Sequence, residues 1–547
     1  MNRISFFVTI MVWYLLKANT TFAYSRQDTL RGANGSGRNW WDVTRYELNI
    51  RFDTATQSIN GYVDMRFKLA ADAGDSMQLD LQEPMVMDSI ISPAGKLLFV
   101  REGNVLWVNT FSKGWQNGSV QQLRLYYHGS PRKAKTPPWD GGFIWAHDST
   151  GKPWIAVACQ GLGASVWWPC KDYQGDEPDS GARMTFDMGK MQEVVVSNGR
   201  ELAAPANEIS DNSNVWTWEV QNPINTYDIT FYIGDYISWQ DTIMGEKGKL
   251  DLSFYALRDN EAKARKQFAV VKQMLHCFEY WMGPYPFYED GYKLVEAPYL
   301  GMEHQSAVAY GNQYKMGYLG DDRSHTGVGT LFDFIIVHES GHEWFGNNIT
   351  AADIADNWIH EGITTYSEAL FAECAFGKEK AFAYTTGEWK NIRNDRDIIG
   401  DYGVQDEGSG DKYDKGSALI HTIRLLINND EQFRQLLRGL NRDFYHRLIT
   451  SAEIENYIIK HTGLNLKPIF DQYLRTSDIP QLEYYIKDKQ LYFRFSNVVS
   501  GFTLPLHAVS GNRDVLINPA NEWQSVSWKG HRYNVDFPQT FLFTVKQ

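Results

Sequence analysis

The sequence predicts a multidomain α+β protein: an N-terminal antiparallel β-domain, a mostly helical middle domain and a small C-terminal β-sandwich. Three observations carry this. Apolar residues alternate with polar ones over roughly the first 240 positions, at the period of half-buried strands. From about 250 to 475 the period lengthens to that of amphipathic helices. After Pro480 short alternating runs return. A chain of 547 residues also exceeds what one core organises. The expected divisions are a leader at 1–23, a β-domain at 24–240, a helical domain at 241–479 and a β-sandwich at 480–547.

In the leader, Arg3 supplies the positive start and Ile4–Leu16 a mostly apolar run of 13 residues, with Thr21-Phe22-Ala23 as the cleavage site. Such a signal peptide implies a secreted or periplasmic protein with no stable membrane span after cleavage; an uncleaved anchor is the alternative. Next, Tyr46, Leu48, Ile50 and Phe52 alternate with polar residues, as do Val63, Met65, Phe67 and Leu69, and Asn60-Gly61 is the expected turn between them. Leu123-Leu125-Tyr127 and Ile229-Phe231-Ile233 continue the pattern. A strand is expected at 251–257. A helix is expected from Asn260 to Trp281, with Phe268, Val271, Leu275 and Phe278 on one face and Gly283-Pro284 ending it. Strands return at 291–310. Helices are expected at Lys415–Ile427, Glu431–Arg442, Thr450–His461 and Lys467–Arg475, the third opened by a Thr450/Glu453 capping box. Leu482-Tyr484-Ile486, Leu491-Phe493-Phe495, Val526-Trp528 and Phe541-Phe543-Val545 are the closing strands.

The net charge of −13 excludes a nucleic-acid partner. Four cysteines make no disulfide framework. Cys159 and Cys170 are an available pair, but buried free thiols are the expected state.

The chemistry concentrates at Val337-His338-Glu339-Ser340-Gly341-His342 and Trp358-Ile359-His360-Glu361-Gly362. His338 and His342, four apart, share a helix face and offer two imidazoles to one metal. Glu361 supplies a third ligand after 18 intervening residues, enough to end one helix and start an antiparallel second. Glu339 is placed to take a proton from water at that metal. Zinc is the cofactor this ligand set implies, one ion per chain. Thr330 with Asp333 is the expected helix cap, Gly346 its expected stop, and Asn357–Phe376 the second helix, stopped by Gly377. Glu368, two turns beyond Glu361, is a candidate acceptor for a ligand histidine's N–H.

These motifs, with four others, resemble the zinc aminopeptidases of the aminopeptidase N and leukotriene hydrolase family, within the gluzincins. Trp358-Ile359-His360-Glu361-Gly362 is similar to the family's WLNEG, and Asp356 falls where that motif has an Asp. Tyr299-Leu300-Gly301-Met302-Glu303-His304 is similar to its GGMEN or GAMEN strand. Gln160 lies in Ala158-Cys159-Gln160, eleven residues before Pro169-Cys170-Lys171-Asp172, and Tyr413 lies in Tyr413-Asp414-Lys415-Gly416, like YxKG. Asp471-Gln472-Tyr473-Leu474 resembles the family's closing catalytic helix. The resemblance implies a thermolysin-like catalytic domain in which Gly301, Met302 and Glu303 line the substrate. It further implies that Glu303 and Gln160 hold the α-amine of a peptide with a free N-terminus, and that Tyr413 donates to the oxyanion. Leu300 replaces a small residue and His304 an Asn, which bears on the width of the first substrate pocket. The implied activity is release of N-terminal amino acids by zinc-activated water, with a thermolysin-type zinc endopeptidase as the alternative. The family's large C-terminal helical domain has no counterpart in the sequence, which implies a more open cleft unless a partner or a second copy closes it.

Overall fold

The structure of the protein, a computed structural model, describes residues 24–111, 113–203, 214–529 and 535–547. The expected leader at 1–23 lies outside the described residues.

The alternating runs form an eight-stranded sheet in which Trp41–Asp53 pairs antiparallel with Ser58–Leu69, burying Tyr46, Leu48, Ile50, Val63, Met65 and Phe67. One pair in this sheet is parallel: Trp41–Asp53 beside Ala182–Asp187. The turn expected at Asn60-Gly61 is instead at 54–57. Asp53 Oδ1 accepts there from the amides of Ala55 and Thr56 at 3.0 and 3.2 Å, so an Asp-headed turn fixes the register, and Asn60 and Gly61 pair within the strand opposite Arg51 and Ile50. A four-stranded antiparallel sheet packs against the first through aromatic residues, with Phe52 and Phe231 centroids 5.1 Å apart.

A second core begins in a five-stranded mixed sheet built on Tyr236–Gly245, Gly248–Leu257 and Tyr292–Glu296. The division expected at 240 falls inside its first strand. Gly301–Met302 is the edge strand of this sheet, paired only with Val308–Tyr310. The two cores meet at this segment. Val295, Tyr299, Met302 and Ala307 pack into the N-terminal core, whereas Leu294, Leu300 and Val308 pack into the helical one. The expected long helix is two helices, Glu261–Gln267 and Val271–Met282, joined by a 3₁₀ turn at Phe268–Val270. Four later helices, Asp414–Ile427, Asp430–Asp443, Ser451–Thr462 and Lys467–Leu474, lie close to their expected bounds, and Thr450 and Glu453 do form a capping box. The C-terminal strands form a four-stranded and a two-stranded sheet whose Leu482, Phe493 and Phe543 share the core of the helices. No described helix is long and apolar enough to cross a membrane.

The cysteines depart from the sequence expectation. Cys159 and Cys170 are free and buried, but Cys277 and Cys374 form a disulfide across 97 residues. It ties helix Val271–Met282 to the end of helix Trp358–Phe376; the packing of these helices brings the pair together, which no spacing in the sequence signals. Removing both thiols as Cys277→Ala/Cys374→Ala is expected to cost about 2–5 kcal/mol of stability. Denaturant melts measure the loss, and intact mass before and after reduction verifies the bond.

Candidate active site

The first ligand helix runs Phe334–Gly341 and is capped by Asp333, not by Thr330. Asp333 accepts from the amide of Ile336 at 3.3 Å and is itself held by Gln267 Nε2 (2.6 Å), Tyr310 Oη (2.8 Å) and Asn312 Nδ2 (2.9 Å). The loop before the helix thus belongs to a polar cluster that fixes where the helix starts. Past His342 the chain makes a π turn, Glu343–Asn347, in which Phe345 and Gly346 leave helical geometry, Gly346 at φ 132°. The expected glycine stop is therefore real, and it turns the Phe345 carbonyl back towards His342.

That carbonyl accepts from His342 Nδ1 at 3.0 Å. His338 Nδ1 donates to Glu368 Oε1 at 2.7 Å, and Tyr384 Oη donates to the other oxygen of Glu368. With both Nδ1 atoms committed as donors, each Nε2 keeps a lone pair. The two Nε2 atoms face Glu361 Oε2 at 3.7 and 3.3 Å. That oxygen is buried with no hydrogen-bond partner among the described residues. A dry carboxylate oxygen facing two imidazole lone pairs calls for a cation. The ligand atoms of His338, His342 and Glu361 lie within 4.8 Å of one another, and two His with one Glu is a donor set that suits zinc. In the metal-free pocket burial opposes the charge on Glu361, but His342 and His338, with Lys412 farther off, outweigh it and hold this carboxyl well below the usual range.

Glu339 projects from the same helix into a cavity of about 560 Å³ that also exposes Gln160, Gly301, Glu303, His338, His342, Glu361 and Tyr413. Burial raises Glu339 to about 7, with Glu303 adding and His338 opposing. Gly301 is obligatory beside it, because a Cβ there would lie 2.6 Å from Ile335 Cγ2 and 2.8 Å from Glu339 Oε1. Glu303 accepts from Gln160 Nε2 and, at 3.1 Å, from Tyr227 Oη. Its backbone carbonyl accepts from Asn347 Nδ2 at 2.7 Å, which ties the edge strand to the π turn. Tyr227 and Asn347 have no motif of their own, and the sequence reading missed both.

Three strand residues stand elsewhere than expected. Alternation along the strand sends the side chain of Met302 into the N-terminal core, away from the cavity that Gly301 and Glu303 line. Leu300 packs in the helical core. His304 is fully buried with Nδ1 2.7 Å from Tyr232 Oη, and burial lowers it to about 3, so it is a neutral core residue. Neither replacement is among the residues that line the cavity.

Tyr413 sits at the N-cap of helix Asp414–Ile427, with its ring centroid 6.0 Å from that of His338. Its distance from Glu361 is set by the crossing of two glycines. A Cβ on Gly362 would lie 2.9 Å from Gly416 Cα, and one on Gly416 would lie 2.8 Å from Gly362 Cα. The final glycine of Tyr413-Asp414-Lys415-Gly416 thus lets the helix bearing Glu361 approach the one opened by Tyr413.

A two-histidine, one-glutamate pocket beside a sheet edge, with a buried carboxylate on that edge, is a metal site of the gluzincin type. Residues 267–473 match the Peptidase family M1 domain, and His338, His342 and Glu361 all lie inside that segment, a match that implies one zinc per chain. It is 23% identical over 349 residues to leukotriene A-4 hydrolase of Xenopus laevis, covering 60% of this chain and 53% of that protein. It is 25% identical over 295 residues to aminopeptidase B of Mus musculus, covering 49% and 42%. The chain thus spans about half the length of these relatives or less. Among solved structures, an M1 zinc metallopeptidase mutant from Deinococcus radiodurans bound to a Tyr-Ser-Ala substrate has the same fold, with TM-score 0.64 at 18% identity, covering 80% of this chain and 95% of that one. Native yeast LTA4 hydrolase gives TM-score 0.65 at 17% identity, covering 83% and 72%.

Because Glu368 fixes the tautomer of His338, Glu368→Gln is expected to weaken zinc binding by about 10–100-fold while leaving the fold intact. Competition with a fluorescent chelator measures the affinity, and an unchanged constant would remove Glu368 from the metal's support.

Proposed function

We propose that the protein is a zinc-dependent aminopeptidase that removes single residues from the free N-terminus of peptides. One observation carries this: the buried carboxylate of Glu303, held by Gln160 and Tyr227, faces the same cavity as the metal pocket. An endopeptidase has no need of such a group, whereas a peptide's α-ammonium supplies the cation it lacks. The same observation disfavours the thermolysin-type alternative.

His338, His342 and Glu361 would hold a zinc ion, which would supply Lewis acidity towards the scissile carbonyl and water. The chain's own groups do the remaining work. Glu303 and the amide oxygen of Gln160 receive the α-ammonium and so fix which peptide bond reaches the metal. Gly301, on a free sheet edge, lets an extended peptide lie close to the strand. Glu339, buried beside the metal pocket, accepts the proton of the attacking water and returns it to the departing amine. Tyr413 donates its phenolic O–H to the oxygen on which negative charge develops. The same reading divides the chain into a β-domain carrying Gln160, a catalytic domain and a closing β-domain. It places the protein outside the cytoplasm, secreted or periplasmic, for which the Cys277–Cys374 disulfide gives support.

Tripeptides with free and with acetylated N-termini, followed by mass spectrometry with and without a zinc chelator, test the activity. Only free termini are expected to be trimmed, one residue at a time, and the chelator is expected to stop it. Internal cleavage of acetylated peptides would replace this reading with the endopeptidase one. Glu339→Gln is expected to retain zinc and lose about 10²–10⁴-fold in kcat. Tyr413→Phe is expected to lower kcat by the equivalent of about 2–4 kcal/mol with little change in KM.

A further inference from the structure

The cavity is crowded with acid. Glu303, Glu339, Glu361, Glu407 and Asp140 line it, and Lys412 is the one lysine or arginine among its described lining residues. Lys412 immediately precedes Tyr413 and is 5% exposed. Its Nζ lies 5.7 Å from the centroid of the Tyr413 ring, within the range of a cation–π contact. On its outer side the ammonium is held by Glu407, whose side chain is 56% exposed. Its backbone is fixed from both directions: the amide donates to Ser409 O at 3.1 Å, and the carbonyl lies against Gly362, where an added Cβ would stand 3.0 Å away.

The charges around Tyr413 give this cation a task. Tyr413 shares the cavity with the carboxylates of Glu303, Glu361 and Glu407. These carboxylates oppose any negative charge that develops on a substrate oxygen near the phenol. A fixed cation beside the ring acts against that effect. We propose that Lys412 is a positioning residue for Tyr413: its ammonium orients the phenol and strengthens the hydrogen bond that the phenol donates to the reacting oxygen. Glu407 keeps the ammonium at the ring instead of in solvent.

This inference rests on the aminopeptidase reading and on the role given there to Tyr413. The test is a mutant cycle on the full-length, zinc-loaded enzyme with a free-N-terminus tripeptide. It compares wild type, Lys412→Gln, Lys412→Arg, Tyr413→Phe and the double variant Lys412→Gln/Tyr413→Phe. Thermal melts and zinc content establish that each variant is folded and loaded, and Lys412→Met, which retains most of the aliphatic stem, replaces Lys412→Gln should the latter not fold. Lys412→Gln is expected to lower kcat about tenfold with KM changed by less than about twofold, and Lys412→Arg to restore most of the loss. Once Tyr413 is Phe, Lys412→Gln should cost less than about twofold more, because the two residues act as a unit. A further tenfold loss in the Tyr413→Phe background, a change confined to KM, or no rescue by arginine overturns the proposal. If Tyr413→Phe is slow while Lys412→Gln turns over normally, only this inference falls. If Tyr413→Phe itself is fully active, the role assigned to Tyr413 falls first and this inference with it.

Discussion

Carboxylates kept out of water govern the centre of this molecule. Glu303, Glu339, Glu361 and Glu368 are each buried within reach of the same few side chains. An ionised carboxylate in such a place costs several kcal/mol unless something compensates, and each of the four is compensated differently. Glu368 has a histidine N–H and a tyrosine hydroxyl. Glu361 has two imidazoles and a vacant lone pair for a metal. Glu339, raised by its burial in the metal-free pocket, faces the cavity where a proton can be exchanged. Glu303 has two neutral donors and, among the described residues, no ion-pair partner. Four copies of one functional group thus acquire four different tasks from their surroundings alone.

Holding these groups in register falls to a few close approaches of backbone. The strand around Gly301 is the seam where the N-terminal and helical cores meet, so Gln160 and Tyr227 from one side and Glu339 from the other converge on Glu303. Gly301 sets the gap between the edge strand and the first ligand helix, and Gly362 with Gly416 sets the gap between Glu361 and Tyr413. None of these glycines takes part in chemistry, but each determines how far apart two chemical groups stand.

Much of this was legible in the sequence where periodicity and spacing carry it. The histidine pair, the third ligand, Glu368 two turns beyond it and the helix stops at Gly346 and Gly377 follow from the helical repeat. So do the later helices, where apolar faces are long and caps are strong. What escaped depends on tertiary encounter. Asp333 caps the helix because Gln267, Tyr310 and Asn312 meet it from distant segments. Asn60-Gly61 has the composition of a turn, yet Asp53 captures the turn upstream. Tyr227, Asn347 and Lys412 carry no pattern that separates them from other polar residues. Met302 was placed with its strand neighbours, although alternation alone puts it on the opposite face.

The Cys277–Cys374 bond encloses more than two helices. His338, His342, Glu361 and Glu368 all lie between its ends, inside one covalent loop with a sequence separation of 97. When the chain unfolds without reduction, these donors stay tethered near one another and are not diluted along the coil. Reduction releases the tether and lets the four donors spread along the unfolded coil.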